Sequence, residues 1–262
     1  MPVSRVSRRR AAPVAAVVLL MGLAACSSGG GGIAVPEPSA PSSSEASSEV
    51  ASTQAAPQAA APFTATTKQL TGATGRVRYD VTVPQIEGGN PAVAAEFNES
   101  IRAALQDQID GPGDDRFTLE GRDAVARIGG RVVSGLLVTS WNADPPGAHP
   151  TPLVATVVVN ADDARPITLS ALFPDLRAGL VRLSEESARL LPATAAGEDF
   201  EREGIEPTEP NFANWLPTPA GMEIHFSDYQ VGPHAVGLVV ITVPWDRLAD
   251  VIAPELFDVV RS

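Results

Sequence analysis

Apolar and polar residues alternate with a period of two near the start of the regularly patterned part of the chain. The alternation spans residues 75–84 and ends in a proline. Strict alternation of this kind predicts a strand with one buried face. The residues on that face are Val77, Tyr79, Val81 and Val83.

The period then changes to four over residues 91–110, which predicts an amphipathic helix. Asn90 precedes the run as an N-cap, and Pro91 occupies the first helical position, where its missing N–H costs nothing. The glycines and proline of residues 111–113 end it. The apolar stripe consists of Val93, Phe97, Ile101, Leu105 and Ile109.

The rest of the chain predicts mainly short strands with short connections. Strands are expected at 116–128, 131–142, 153–160, 211–216, 222–226 and 237–243. Helical segments are expected at 167–174, from 176 to about 192, and at 245–252. Gly129-Gly130 is typical of a hairpin turn, whereas the proline-rich residues 144–150 are typical of a loop. Short connections favour antiparallel pairing, so the predicted class is α+β, a twisted antiparallel sheet with helices packed on one face.

Several large apolar residues are expected in the core before any other role is considered. Thr168 has the position of a hydroxyl cap, and the residues after it should dock against the sheet. The predicted core residues include Phe97, Leu172, Phe173, Trp215 and Phe226.

The N-terminal 25 residues have the layout of a lipoprotein signal peptide. A basic segment with four arginines precedes an apolar run over 11–20, which is too short to span a bilayer. Leu23-Ala24-Ala25-Cys26 resembles a lipobox, in which the cysteine thiol receives the lipid. Cys26 is the only cysteine, so the sequence predicts lipidation there, with palmitate-type acyl chains, and no disulfide.

Residues 26–62 change to Gly, Ser, Pro and Ala, a composition that predicts a disordered tether. The folded domain is expected at 63–262, with two lobes at about 75–160 and 161–258. The protein is therefore expected at the cell membrane, anchored by lipid and facing the extracytoplasmic side.

Charge limits the partners that this domain can take. The formal net charge is −12, and loss of the four arginines before residue 26 would make it −16. Nucleic acid is excluded as a partner because its binding needs a basic face. Lys68 is the sole lysine beside many arginines and alanines, which is typical of a high-GC, actinobacterial genome.

The histidines are the weak candidates for catalysis. His225, Asp228 and His234 are spaced so that two imidazoles and a carboxylate could meet around one turn, to ligate zinc or to activate a serine such as Ser134 or Ser140. No Gly-x-Ser-x-Gly or His-Glu-x-x-His motif is present. The expectation is therefore no metal, no cofactor and no assigned catalytic residue, with a small envelope hydrolase such as an esterase as the alternative.

Four segments together resemble the RsiV-like domain family, a domain of unknown function shared by lysozyme-sensing anti-sigma factors and mycobacterial secreted immunogenic proteins. These segments are residues 79–86, 97–101, 167–173 and 226–237. The chain departs from the family at Gly232-Pro233-His234, where relatives usually have alanine, proline and tyrosine, so a contact through that tyrosine is not carried over.

The resemblance implies a fold and a location more than an activity. It suggests a non-catalytic binding or sensor-like module of the cell envelope. The expected ligand is a cationic protein, such as a lysozyme-like one, or a wall polymer.

Overall fold

The structure is a computed structural model that describes residues 62–111 and 114–262. The predicted signal peptide, Cys26 and the tether up to residue 61 lie outside the described residues. Within the described part of the chain, no helix combines the length and apolarity of a membrane span. The α+β class is confirmed.

Six strands form the larger sheet, and their order in the sheet is their order in the chain. Every pair is antiparallel except β2 and β3, which run parallel because a helix, α1, connects them. The bounds are β1 (Thr64–Ala73), β2 (Val77–Glu87), α1 (Pro91–Asp110), β3 (Arg116–Ile128), β4 (Val132–Asp144), β5 (Thr151–Asn160) and β6 (Arg165–Pro166).

The second half of the chain forms a separate sheet of three antiparallel strands, with short helices around it. The single predicted sheet is therefore two sheets. The bounds are α2 (Leu169–Leu172), α3 (Leu176–Leu190), α4 (Glu209–Phe212), β7 (Trp215–Thr218), β8 (Gly221–Phe226), β9 (Val239–Pro244) and α5 (Pro254–Val260).

Helix α1 forms as the apolar period predicts. The side chain of Asn90 accepts a hydrogen bond from the N–H of Ala92, and all five apolar residues of the stripe are buried. Asn98 fixes the helix against β2, because its amide group bonds both the N–H and the C=O of Ile86 at 3.0 Å.

Strand β4 is buried on both faces along most of its length. Val133 and Leu137 face α1 in one buried cluster, whereas Leu136 and Val138 belong to the cluster that contains the second sheet. Gly135 leaves room for α1, since a Cβ there would lie 2.8 Å from the ring of Phe97. The two cores therefore share β4 as their common wall.

The predicted cap at Thr168 is confirmed. Its hydroxyl oxygen accepts from the N–H of Ala171 at 3.2 Å, and Leu172 and Phe173 are fully buried. The ring of Phe173 lies so close to α3 that only glycine fits at position 179.

Four elements differ from the predictions. Strand β1 was not predicted, because its threonine-rich residues are exposed or half-buried and show no apolar alternation. The strand predicted at 211–216 is helix α4 followed by β7, and the helix predicted at 245–252 is a single 3₁₀ turn at Trp245–Arg247. Helix α5 follows it without having been predicted.

An ion-pair cluster joins α3 to the 3₁₀ turn. Buried Glu186 accepts hydrogen bonds from Arg189 at 2.6 Å and from Arg247 at 2.8 Å. Burial acts to raise the pKa of Glu186, but the two arginines outweigh it, so that its pKa lies below the ordinary value. The cluster therefore stabilises the fold above the ordinary pKa of a glutamate, and this stabilisation is lost as the pH falls through the lowered pKa.

The tight packing of Phe173 generates a stability prediction. We expect Phe173→Ala to lower the free energy of unfolding by about 3 to 5 kcal/mol, because it removes buried contacts and leaves a cavity beside Gly179. Urea denaturation followed by circular dichroism measures this change. Val240→Ala is the control, because Val240 is an exposed β9 residue whose truncation should cost less than about 0.5 kcal/mol. Equal unfolding midpoints for the two variants would contradict the assignment of Phe173 to the core.

Candidate functional site

Asp228 and His234 are brought together in the segment between β8 and β9. The Nδ1 atom of His234 lies 2.8 Å from one carboxylate oxygen of Asp228 and 3.1 Å from the other. The Asp228 side chain is almost fully buried, whereas that of His234 is about one-third exposed. Two left-handed residues shape this segment, Tyr229 at φ 61° and Gly237 at φ 74°. The carboxylate thus fixes the orientation of the imidazole.

His149 joins this pair from the loop between β4 and β5. Its ring stacks on that of His234, with centroids 3.7 Å apart and planes 13° from parallel. Its Nε2 lies 3.2 Å from the hydroxyl of Tyr229. The resulting histidine cluster consists of His149, Asp228, Tyr229 and His234, and the role of His149 in it was not predicted.

His225 does not take the place that its spacing suggested. It lies on β8, where its Nε2 is 3.5 Å from a carboxylate oxygen of Glu223, too long for a good hydrogen bond. Glu223 is instead bonded by Arg127 at 2.7 Å. The predicted trio is therefore split, with the His225 side chain mostly buried on β8 beside Glu223.

The histidine cluster does not have the geometry of a metal centre. The lone pairs of imidazole nitrogens lie in the ring planes, so two rings stacked in parallel cannot direct them at one ion. No group of three potential ligands with metal-binding geometry occurs in the described part of the chain.

In the described part of the chain, the hydroxyl hydrogen-bonded to an imidazole belongs to Tyr229 and not to a serine or threonine. Among the described residues, no serine or threonine hydroxyl hydrogen-bonds a histidine ring. Ser134 and Ser140, the two serines that the sequence suggested, are buried in β4. The arrangement can accept and donate hydrogen bonds to a ligand, but it lacks the pairing that acyl transfer by a serine requires.

A groove adjoins the cluster. One cavity of about 710 Å³ and another of about 550 Å³ share Thr156 and Ala213 in their walls, and Asp228 lines the larger one. The groove lies between α1 on one side and residues 209–215 on the other. The volume of each cavity is in the range of ordinary ligand sites.

The groove is acidic and partly aromatic. Asp107 and Glu209 line it, together with Trp141 and Trp215. Of the described residues that line the two cavities, none is a lysine or an arginine. A ligand with basic groups is therefore favoured over an anionic one.

Residues 170–246 match the family described as "Protein of unknown function (DUF3298)". No curated protein matches the chain. Among solved structures, a DUF3298 family protein from Pseudomonas aeruginosa PAO1 is similar at 14% identity and a TM-score of 0.50, over 75% of this chain and 96% of that chain. A DUF3298 member from Bacteroides fragilis has 13% identity and a TM-score of 0.47, over 76% and 97%.

The family match supports a domain of unknown function at the level of DUF3298, but not the narrower RsiV-like family that the sequence resembled. The likeness to the Pseudomonas protein concerns the fold alone. The matched residues include Asp228, Tyr229 and His234 of the histidine cluster, but not His149.

Burial of His225 generates a prediction of pH dependence. Desolvation lowers the pKa of His225 below its ordinary value of 6.5. Nearby Glu223 acts to raise this pKa but does not offset the desolvation, and Arg127 lowers it further. The unfolded chain then binds a proton that the folded protein does not, so stability falls as the pH drops below about 6.5.

We expect the wild type to lose more stability than His225→Gln between about pH 7.5 and about pH 5.5, with a slope of at most about 1.4 kcal/mol per pH unit. Urea titrations of both proteins at the two pH values give the difference. The other titratable groups are common to both proteins, so parallel losses would contradict the buried, neutral state of His225.

Proposed function

We propose that the protein is a non-catalytic binding module of the cell envelope, held to the membrane by lipid on Cys26, that binds a cationic protein. The observation that carries the proposal is the acidic groove beside α1. It offers carboxylates and aromatic surface to a ligand, without a basic residue in its described lining.

The histidine cluster supports binding rather than turnover. A buried carboxylate and a stacked partner ring hold His234 in place, and among the described residues no serine or threonine hydroxyl is hydrogen-bonded to either imidazole of the cluster. Asp228 belongs both to this rigid set of hydrogen-bonding groups and to the lining of the groove, an arrangement that suits recognition.

The RsiV-like resemblance favours an extracytoplasmic module and a lysozyme-like partner, as in the anti-sigma relatives. A formal charge of −16 after loss of the signal would attract such a basic protein over long range and raise the rate of encounter.

Binding to hen egg-white lysozyme tests the choice of partner. We expect residues 62–262 to bind it, with the dissociation constant rising about tenfold or more between about 50 mM and about 500 mM salt. Calorimetric titration measures this change. Succinylated lysozyme, in which the basic amines are converted to acids, is the matched control and should not bind.

Two outcomes would contradict the proposal. Equal affinity for native and succinylated lysozyme, or no binding of either, would remove a lysozyme-like protein as the partner. If the protein hydrolyses short-chain acyl esters or wall fragments, and a folded His234→Ala variant does not, the hydrolase is established instead. The reason is that Asp228 and His234 have the arrangement of an oriented general base.

Attachment through Cys26 has its own test. We expect the wild type expressed in a bacterial host to partition into the detergent phase, because acyl chains supply the apolar surface that binds micelles. Cys26→Ala should remain unprocessed or be released in soluble form. A processed Cys26→Ala protein that still partitions into detergent would contradict lipidation.

A further inference from the structure

The outer edge of β5 has no strand partner from Thr151 to Val157. On this side β5 pairs only with β6, and only at Val159 and Asn160. Within residues 62–111 and 114–262, no other strand is added to this edge.

The unpaired backbone groups can be identified from the register. The carbonyl of Val158 accepts from Ile167, so it points away from β4, whereas the N–H of Ala161 bonds Arg131 on the β4 side. Orientation alternates along an antiparallel strand, so Val154 and Thr156 direct both N–H and C=O outward.

This edge opens into the larger cavity of the groove. Ala104, Asp107 and Gln108 of α1 form one wall, and Asn214, Ser227 and Asp228 form the other. The Nε2 of Gln108 is buried without a hydrogen-bond partner, while its Oε1 accepts from Thr139 at 2.8 Å. A carbonyl oxygen on a ligand would satisfy that donor.

The pairing edge is short and closed at one end. The N–H of Trp215 donates to the side-chain hydroxyl of Thr156 at 3.0 Å, so residues 213–215 limit the edge beyond Thr156. Pro152 at the other end has no N–H. At about 3.3 Å per residue, Thr151–Thr156 offers about 20 Å of edge, enough for one extended segment.

Strand β1 also has an open outer edge, but it lacks these features. No residue of β1 is buried, and Lys68 places a positive charge on it. Of these two described edges, the β5 edge is the one that combines open backbone groups with walls, a buried unpaired donor and negative charge.

We infer that an extended, basic segment of the partner protein lies in this groove and pairs with β5 as an added strand. The inference rests on the proposed function, whose partner it narrows to a chain that can present such a segment. Backbone bonds to Val154 and Thr156 supply the pairing, and Asp107 favours arginine or lysine side chains on the segment.

The first experiment uses the heptapeptide Thr-Arg-Val-Arg-Val-Arg-Thr, blocked at both ends, and the same peptide N-methylated at every backbone amide. Charge and side chains are equal in the two, but the second has no N–H for pairing. We expect fluorescence polarisation to show binding of the first by residues 62–262 and at least tenfold weaker binding of the second. Equal binding, or no binding of the first, overturns the inference.

The second experiment locates the peptide on the protein. Ala104→Trp fills the groove from α1, whereas Ala103→Trp adds the same ring at the neighbouring, exposed position. We expect at least a tenfold loss of peptide binding in the first variant and no change in the second, with unfolding midpoints compared for both. Equal affinities overturn the inference, and if Ala104→Trp does not fold, the methylated peptide still decides it.

Lysozyme binding by the same variants separates this inference from the proposed function. If Ala104→Trp leaves lysozyme binding unchanged, the groove is not the docking site, although a cationic partner is still supported. If peptide binding meets both expectations but the protein does not bind lysozyme, the groove is supported as a binding site and lysozyme is excluded as the partner.

Discussion

The burial of β4 on both faces is the constraint on which the rest of the structure depends. A strand with apolar side chains on each side needs a cover on each side. Helix α1 supplies one cover, and the second sheet with its helices supplies the other. Both covers continue past β5, the last long strand of the sheet, and so form the two walls of the groove. The candidate site is thus a consequence of how the core is enclosed.

The same arrangement explains where the histidine cluster forms. The loop after β4 and the segment after β8 leave their sheets at neighbouring ends, so His149 and His234 meet although they are far apart in sequence. The buried carboxylate of Asp228 fixes His234, and Tyr229 contacts His149. His225 is only three residues before Asp228, but it is on a strand and faces Glu223.

Local signals in the sequence predicted the elements whose stability is local. Helix α1 was predicted with its bounds, because its cap and its apolar stripe lie within 20 residues. The contact between Asp228 and His234 was foreseen for the same reason, since only six residues separate them. By contrast, the contact of Tyr229 with His149 spans 80 residues and left no local signal. Strand β1 was not predicted because an exposed edge strand needs no apolar face. The separation into two sheets depends on packing between distant segments, which no short stretch of sequence indicates.

Pro152 has a consequence for the self-association of the domain. An open strand edge is a template to which another copy of a chain can add, and repeated addition produces aggregates. In β5 the proline removes one outward-facing N–H, and the walls on both sides keep a second folded domain from reaching the groups that remain. A single flexible chain is thin enough to enter where a folded sheet is not. The edge can therefore stay open without serving as a seed for polymerisation.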